Sequence, residues 1–562
     1  MTENKSFADL QWDKEGHDGE EYSLNDKNRI QMRDLLNKTG KGFCLAKWTQ
    51  VTMHLGNGLT HSCHHPGAHK IPLDELKENP GALHNTKYKM ERRKEMLNGK
   101  RPTECDFCWR VEDNGEISDR VLKSLPTFSS PHHDKIAQLE GDEDIFPTYV
   151  EVSFNRTCNF ACAYCGPAFS SKWEQEIKNH GPYDVFNHLF NPLKPGEKHY
   201  NNNETNPYID AFWEWFPEAY KHMHTFRITG GEPLMIKDTF KVMDFLIENP
   251  NPNLCFAINS NGCPPGQLWE KFITKVQQLI DGNCVKRFEL YTSAEATGKQ
   301  CEFIRDGMDW DLFVNNITDF LRRTTQTKVI FMAAFNVLSV STFQDFLKWV
   351  LELKKEFNYT GQFEWLEKIG YTRHDEGHLP YKERRELNKK MHNRVGVDIP
   401  YLRHPQFLDA TILDKKTVEK YLLPCLDFMY DNLGTGQWYS TGKFEDHEVL
   451  KLKRNVIDIC SKTEMQYPSG LSSDYEIRHN RAKFAYFIKQ YSDRRSKKFF
   501  DDFPEYKDFY NVCVREYLKI FSVDDKENTE SELFERGRRL SGENENERAK
   551  AKVLAEETKG DV

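Results

Sequence analysis

An α/β fold built on a parallel sheet is predicted by two features of this chain. Between Pro147 and about Gln362, short β-rich runs alternate with segments whose apolar residues recur at helical spacing. Strand, helix, strand at this regularity argues for a parallel sheet, open or closed into a barrel. The composition, 38% hydrophobic and 13% aromatic over 562 residues, is enough for real cores and for several domains.

The first strand is expected within Thr148 to Phe154, where Val150, Val152 and Phe154 alternate with polar residues. An aromatic helical stretch follows at Tyr208 to His222. Further strands are expected at Thr225 to Ile228, Leu254 to Ile258, Arg287 to Tyr291 and Lys328 to Asn336, with Glu364 to Arg373 as a sixth. The helices between them are expected at Lys237 to Ile247, Gly266 to Ile280, Trp310 to Arg322 and Ser341 to Lys354.

Upstream, FCLAKWTQVTMHLGNGLTHSC reads as a strand, a Gly-Asn-Gly hairpin turn and a second strand, and RPTECDFC as a loop. Downstream, Lys382 to Arg394 is a basic helical stretch, read as a solvated face with substrate binding as the sharper alternative. Asp474 to Tyr510 reads as a helical pair whose aromatics pack against the core and whose Arg494 and Arg495 lie at the surface. The chain divides into a polar segment 1–40, a cysteine-rich module 41–125, a core 145–370, a mostly helical extension 371–522 and a tail 523–562. The tail is charged and poor in aromatics, expected as a frayed helix or disordered.

The formal charge of −9 gives no bulk signal for a polyanion, so nucleic acid is unsupported as a partner. The N-terminus lacks an apolar h-region. The longest apolar stretch, Val329 to Val340, is broken by Asn336 and falls short of the roughly 20 residues a bilayer span needs. A soluble, cytoplasmic protein without a membrane partner is expected. Its 14 cysteines then read as thiols and metal ligands rather than disulfides.

Chemistry concentrates in SFNRTCNFACAYCGP. Cys158, Cys162 and Cys165, spaced C-x3-C-x2-C directly after the first strand, suit three thiolates around one face of a 4Fe-4S cube, with no fourth ligand. Four cysteines make an electron carrier, whereas three leave an iron open to a substrate or cofactor. A zinc knuckle or three core thiols are the alternatives, although zinc normally closes its tetrahedron with four ligands in paired spacings.

The spacing, with Tyr164 just before the third cysteine, resembles that of the radical S-adenosylmethionine (radical SAM) enzymes. That resemblance implies a partial (β/α)6 TIM-like barrel whose ligands gather at the carboxyl ends of the strands. It also implies that the open iron chelates SAM and that reductive cleavage yields a 5′-deoxyadenosyl radical. Thr229-Gly230-Gly231-Glu232-Pro233 looks like the family's GGEP motif, whose glycines let the backbone approach SAM's methionine and whose Glu232 accepts from its ammonium. Asn259 in Asn259-Ser260-Asn261-Gly262 resembles a further cofactor contact. Ser293 and Glu295 stand where the family has a Ser-x-Asp pair, with Glu in place of the usual Asp at the ribose contact. Arg305 stands where an Arg often meets the SAM carboxylate, and Asn336 completes the set as a cofactor contact or a strand-end cap.

A second constellation, Cys44, Gly58 and Cys63 followed by Cys105 and Cys108, resembles the half-motif of SPASM/twitch domains, which implies an auxiliary 4Fe-4S cluster. Structural zinc is the alternative, with His61, His64 and His65 as further donors. In the family this module usually follows the barrel, so the motif carries over and the domain order does not. Such relatives act on peptides, protein side chains or small molecules and draw on an electron donor such as flavodoxin or ferredoxin. Hydrogen abstraction from a peptide or protein side chain is therefore expected, with a small-molecule dehydrogenase or epimerase as alternative. A non-catalytic iron-sulfur or zinc scaffold or electron carrier is the alternative from another class. Cys255, Cys263, Cys284, Cys301, Cys425, Cys460 and Cys513 lack paired spacing and read as buried small hydrophobes.

Overall fold

The computed structural model describes residues 6–15, 21–183, 188–194, 199–200, 204–358, 370, 393–434, 442–463 and 472–521. The central sheet has nine strands. In chain order the strands needed here are β1 (Gln50–His54), β2 (Leu59–His61), β3 (His69–Lys70), β4 (Tyr149–Ser153), β5 (Ala161–Cys162), β6 (Thr225–Thr229), β7 (Asn251–Ser260), β8 (Val285–Thr292), β9 (Arg305–Asp306), β10 (Thr327–Met332) and β11 (Val395–Asp398). Across the sheet the order is β11-β10-β8-β7-β6-β4-β1-β2-β3, while β5 and β9 form a separate antiparallel pair. From β11 to β1 every pairing is parallel. The architecture is α/β with a large parallel sheet; among the described residues no pairing joins its two ends.

Helices α1 (Lys237–Glu248), α2 (Gly266–Asp281), α3 (Trp310–Arg323) and α4 (Phe343–Phe357) fall between consecutive strands, as the periodicity predicts. They bury one face of the sheet: Val150, Val152, Phe226, Ile228, Phe256, Ile258, Phe288, Leu290, Val329 and Phe331 are fully enclosed. The other face is polar. At one level Thr52, Glu151, Arg227, Ala257, Glu289 and Lys328 stand in register across six strands. A parallel sheet covered by helices on both faces carries apolar residues on both. Alternation here therefore marks a lined polar surface.

Three expectations are corrected. The hairpin β1–β2 does not stand apart from the core, since β1 pairs in parallel with β4 from Gln50↔Tyr149 to His54↔Ser153. Its residues Val51, Met53 and Leu55 join the main core, whereas Met32, Leu36, Phe43, Trp48 and Met96 form a second, smaller one. RPTECDFC is not a loop: a 3-10 turn Thr103–Cys105 leads into a helix, α-helical from Asp106 to Asp113. The fifth strand of the parallel series, β10, stops at Met332 rather than Asn336, because the Asn336 side chain closes a turn, accepting from Leu338 N–H at 2.9 Å.

The sixth strand of the parallel series is Val395–Asp398; the segment expected for it, 364–373, lies outside the described residues except for Gly370. Residues 382–392 and the tail 523–562 also lie outside them. Arg394 is not on a solvated face: its guanidinium donates to the carbonyls of Leu321 (2.8 Å) and Thr324 (2.9 Å) at the carboxyl end of α3, where a cation complements the helix dipole. No helix among the described residues is long and apolar enough to cross a membrane.

Candidate functional site

The loop after β4 carries the cysteine triad, and its backbone is pinned from several sides. Ala163 N–H donates to Ile304 O (2.7 Å), Ser171 Oγ accepts from Cys158 N–H (3.1 Å) and Trp173 Nε1 donates to Cys162 O (2.9 Å). With these backbone groups held, the Cys158, Cys162 and Cys165 thiols are left half-buried on the loop. Phe160 N–H approaches Cys158 Sγ at 3.4 Å. Burial, then the charge of Cys162, pushes the Cys158 thiol up to about 12, and burial, then Cys162 and Cys158, pushes Cys165 up as well.

The three sulfurs therefore share one electrostatic neighbourhood in which thiolates persist when a cation replaces the protons. Among the described residues no three His, Cys, Asp or Glu groups converge on a point that could hold one ion. A multi-iron cube spreads its thiolates wider than a single tetrahedral ion does. The donor set, three soft sulfurs with N–H groups nearby, fits such a cluster.

The Gly-Gly-Glu-Pro loop leans against this loop. Gly231 N–H donates to Asn155 O (3.2 Å) and Glu232 N–H to Thr157 O (2.7 Å). A Cβ on Gly231 would lie 2.4 Å from Thr157 O, and Gly230 holds φ 132° with Asn155 O 2.7 Å from where its Cβ would be. What these glycines permit is close packing of two backbones. Glu232 is fully buried, with Oε1 accepting from Leu234 N–H (3.0 Å) and Ser260 Oγ (2.8 Å) and Oε2 from Asn261 N–H (2.6 Å). A carboxylate offers about four lone-pair sites, so acceptor capacity remains. Pro233 opens a buried 3-10 turn behind it.

Glu295 and Arg305 are brought together, and toward each other. Arg305 Nε and Nη2 donate to Glu295 Oε2 at 3.0 and 2.5 Å, and Tyr164 hydroxyl donates to Glu295 Oε1 at 3.1 Å. Ser293 lies half-buried just past β8. Asn259 accepts from Arg227 Nε at 2.8 Å on the polar face of the sheet. Asn336 is buried, its side-chain amide donating to Ala334 O (2.8 Å) and accepting from Leu338 N–H (2.9 Å) within its own turn. Cys301 is buried against Met308 Sδ at 3.5 Å; Cys255, Cys263, Cys284, Cys425 and Cys513 are buried as well, and Cys460 half so.

The polar face is internally bonded. The Arg227 guanidinium lies 3.9 Å over the Tyr291 ring and 4.0 Å from Glu151, Tyr291 hydroxyl donates to Glu289 Oε2 at 2.9 Å, and Arg287 pairs with Glu289 at 3.0 Å.

Cys44, Cys63, Cys105 and Cys108 line one cavity in the N-terminal part, together with His65, Arg120 and Lys123; Gly58 turns the chain between β1 and β2. Burial pushes the Cys105 and Cys108 thiols up to about 12, and each thiol also responds to the Cys44 sulfur. Buried Lys47, paired with Glu104, and buried Arg120, forked on Glu112 at 2.8 Å, supply positive charge beside the sulfurs. Four cysteine thiols on one cavity are soft donors of the kind metal-thiolate centres use, although among the described residues no three of them converge as a single-ion site would require.

His61 turns away from this cavity: its Nδ1 donates to Cys63 O at 2.6 Å, and its Nε2 meets His54 Nε2 at 3.2 Å. His64 lies tilted against His61, and His65 bonds Asp119 at 2.8 Å while stacking on Phe107. Sequence reasoning missed Tyr491, Arg495 and Glu176. Arg495 is not a surface residue: it pairs with Glu176 (2.6 Å) and Asp306 (3.3 Å) and is 5% exposed, and Arg494, 12% exposed, donates to Gly181 O (3.0 Å).

No family model matches the chain, and no solved structure does. Over 156 residues it is 26% identical to "Molybdenum cofactor biosynthesis protein moc-5" of Caenorhabditis elegans, an alignment covering 27% of this chain and 22% of that protein. The chain thus spans about a fifth of the length of the curated relative that it matches.

Proposed function

We propose that this chain is a radical SAM enzyme. The observation that carries the reading is the Cys158, Cys162, Cys165 loop at the carboxyl end of β4, supplying three thiols, with the Glu232 loop bonded against it. Ligands of parallel β/α folds gather at that end of the strands. The partial similarity to a molybdenum cofactor biosynthesis protein agrees with it at family level.

The three cysteines would hold a 4Fe-4S cluster. When bound, such a cluster supplies the electron that cleaves SAM to a 5′-deoxyadenosyl radical, which takes hydrogen from the substrate. Glu232 keeps acceptor capacity for an ammonium, and Gly230 and Gly231 hold its loop in place. We take the parallel sheet to belong to a partial barrel. Its polar face, alternating Glu151, Arg227, Glu289 and Lys328, suits a substrate bearing both charge signs, as a peptide does, with a small polar molecule as alternative. The second cysteine set would hold an auxiliary 4Fe-4S cluster, with zinc as alternative.

The test is anaerobic incubation of reconstituted protein with SAM and dithionite. Formation of 5′-deoxyadenosine, abolished in Cys158→Ala, supports the proposal. A tightly bound cluster without deoxyadenosine would leave the electron-carrier reading in its place.

A further inference from the structure

Arg305 is fixed opposite Cys162 by the backbone itself. β9 pairs antiparallel with β5, and the register is Arg305↔Cys162, Asp306↔Ala161. The side chain is then aimed by a buried carboxylate: Nε and Nη2 fork onto Glu295, which is fully enclosed, and the Tyr164 ring lies 5.5 Å from the guanidinium carbon. With those two nitrogens committed, Nη1 is left pointing at Cys162 Sγ, 4.0 Å away.

A guanidinium keeps its charge in any protein environment. At this distance, away from bulk water, its field on the sulfur is far stronger than in solvent. Hydrogen bonds and positive charge at a cysteinyl sulfur favour the more negative, reduced state of an iron-sulfur centre and raise its potential. Glu295 opposes that charge in part and sets the direction of the fork.

We infer that Arg305 is a positioning residue for the Cys162 sulfur, tuning the cluster's potential, and that Glu295 serves as its anchor. In this role neither residue needs to meet the carboxylate or ribose of SAM. The inference rests on the radical SAM reading above.

The experiment is a redox titration of the reconstituted full-length protein without SAM, followed by electron paramagnetic resonance, beside SAM affinity measured separately. Arg305→Gln should lower the reduced-to-oxidised ratio at a fixed poise about tenfold, a midpoint more negative by about 59 mV for one electron. Arg305→Lys should fall between it and the unaltered protein. Glu295→Gln should shift the midpoint the opposite way, which loosened packing at either residue would not do. Lost SAM affinity in Arg305→Gln with the midpoint unmoved would overturn the inference in favour of a contact with the cofactor. Midpoints unaltered in both Arg305 variants, or shifts of one sign in Arg305→Gln and Glu295→Gln, would overturn the inference while leaving the enzyme reading intact. Absence of any cubane signal in the unaltered protein would overturn both.

Discussion

The Tyr491 hydroxyl lies 3.0 Å from the carbonyl oxygen of Ala161 and 3.1 Å from that of Phe303. One phenol thus ties the helix Tyr475–Arg494 to strand β5, which carries Cys162, and to the helix Gly298–Ile304 that leads into β9. Arg495 stacks on the same ring at 3.5 Å and bridges Glu176 and Asp306. The extension beyond the sheet is therefore part of the frame that holds the cysteine loop.

Replacing Tyr491 with Phe keeps the ring and removes the single O–H that the two buried carbonyls share. The expected cost is about 1–3 kcal/mol, read by urea denaturation, with faster loss of iron to a chelator. Iron release at the unaltered rate would show that the cysteine loop does not depend on this contact.

Lys354 donates to Glu448 at 2.9 Å with both side chains enclosed, and Glu448 also accepts from Val397 N–H at 2.8 Å on edge strand β11. Lys354→Met leaves a buried carboxylate without its cation and should cost about 3–5 kcal/mol. Calorimetric melting of the variant checks this, and an unchanged Tm would contradict it.

Burial pushes the Glu232 carboxyl up to about 7, outweighing its three hydrogen-bond donors, whereas in the unfolded chain it titrates near about 4.3. Between those values the folded protein keeps a proton that the unfolded chain has released. The associated stability is full below about pH 4.3 and is lost as pH rises through about 7, a change of roughly 4 kcal/mol. Glu232→Gln should flatten the fall in Tm over that window; an unaltered slope would assign the titration to another group.

Joint replacement of Cys105 and Cys108 by Ala should remove about four iron atoms per chain if the second centre is a cube. Elemental analysis decides between this and the loss of one zinc with iron unchanged.

Local pattern made much of the fold legible. Alternation at Val150 and Val152, and helical spacing between strands, depend on neighbours two to four residues away, so those elements fall within a few residues of expectation. The spacing of Cys158, Cys162 and Cys165 and the Gly230-Gly231-Glu232-Pro233 string were equally local. Other features gave no local sign. Arg494 and Arg495 read as a surface pair because their partner Glu176 lies 319 residues upstream of Arg495. Asn336 read as a strand residue because a side chain closing its own turn leaves the apolar pattern unbroken.

The sequence by itself determined most of the strands and helices between Tyr149 and Phe357 and the spacing of the cysteines, since periodicity and spacing are properties of the covalent chain. Tertiary structure alone decided that the N-terminal hairpin joins the main sheet, that Arg305 turns to Glu295 and Cys162, and that Tyr491 braces the cysteine loop. Those pairings follow from hydrogen-bonding groups and charges that must be satisfied once buried, and which partner satisfies each is settled only when distant segments pack.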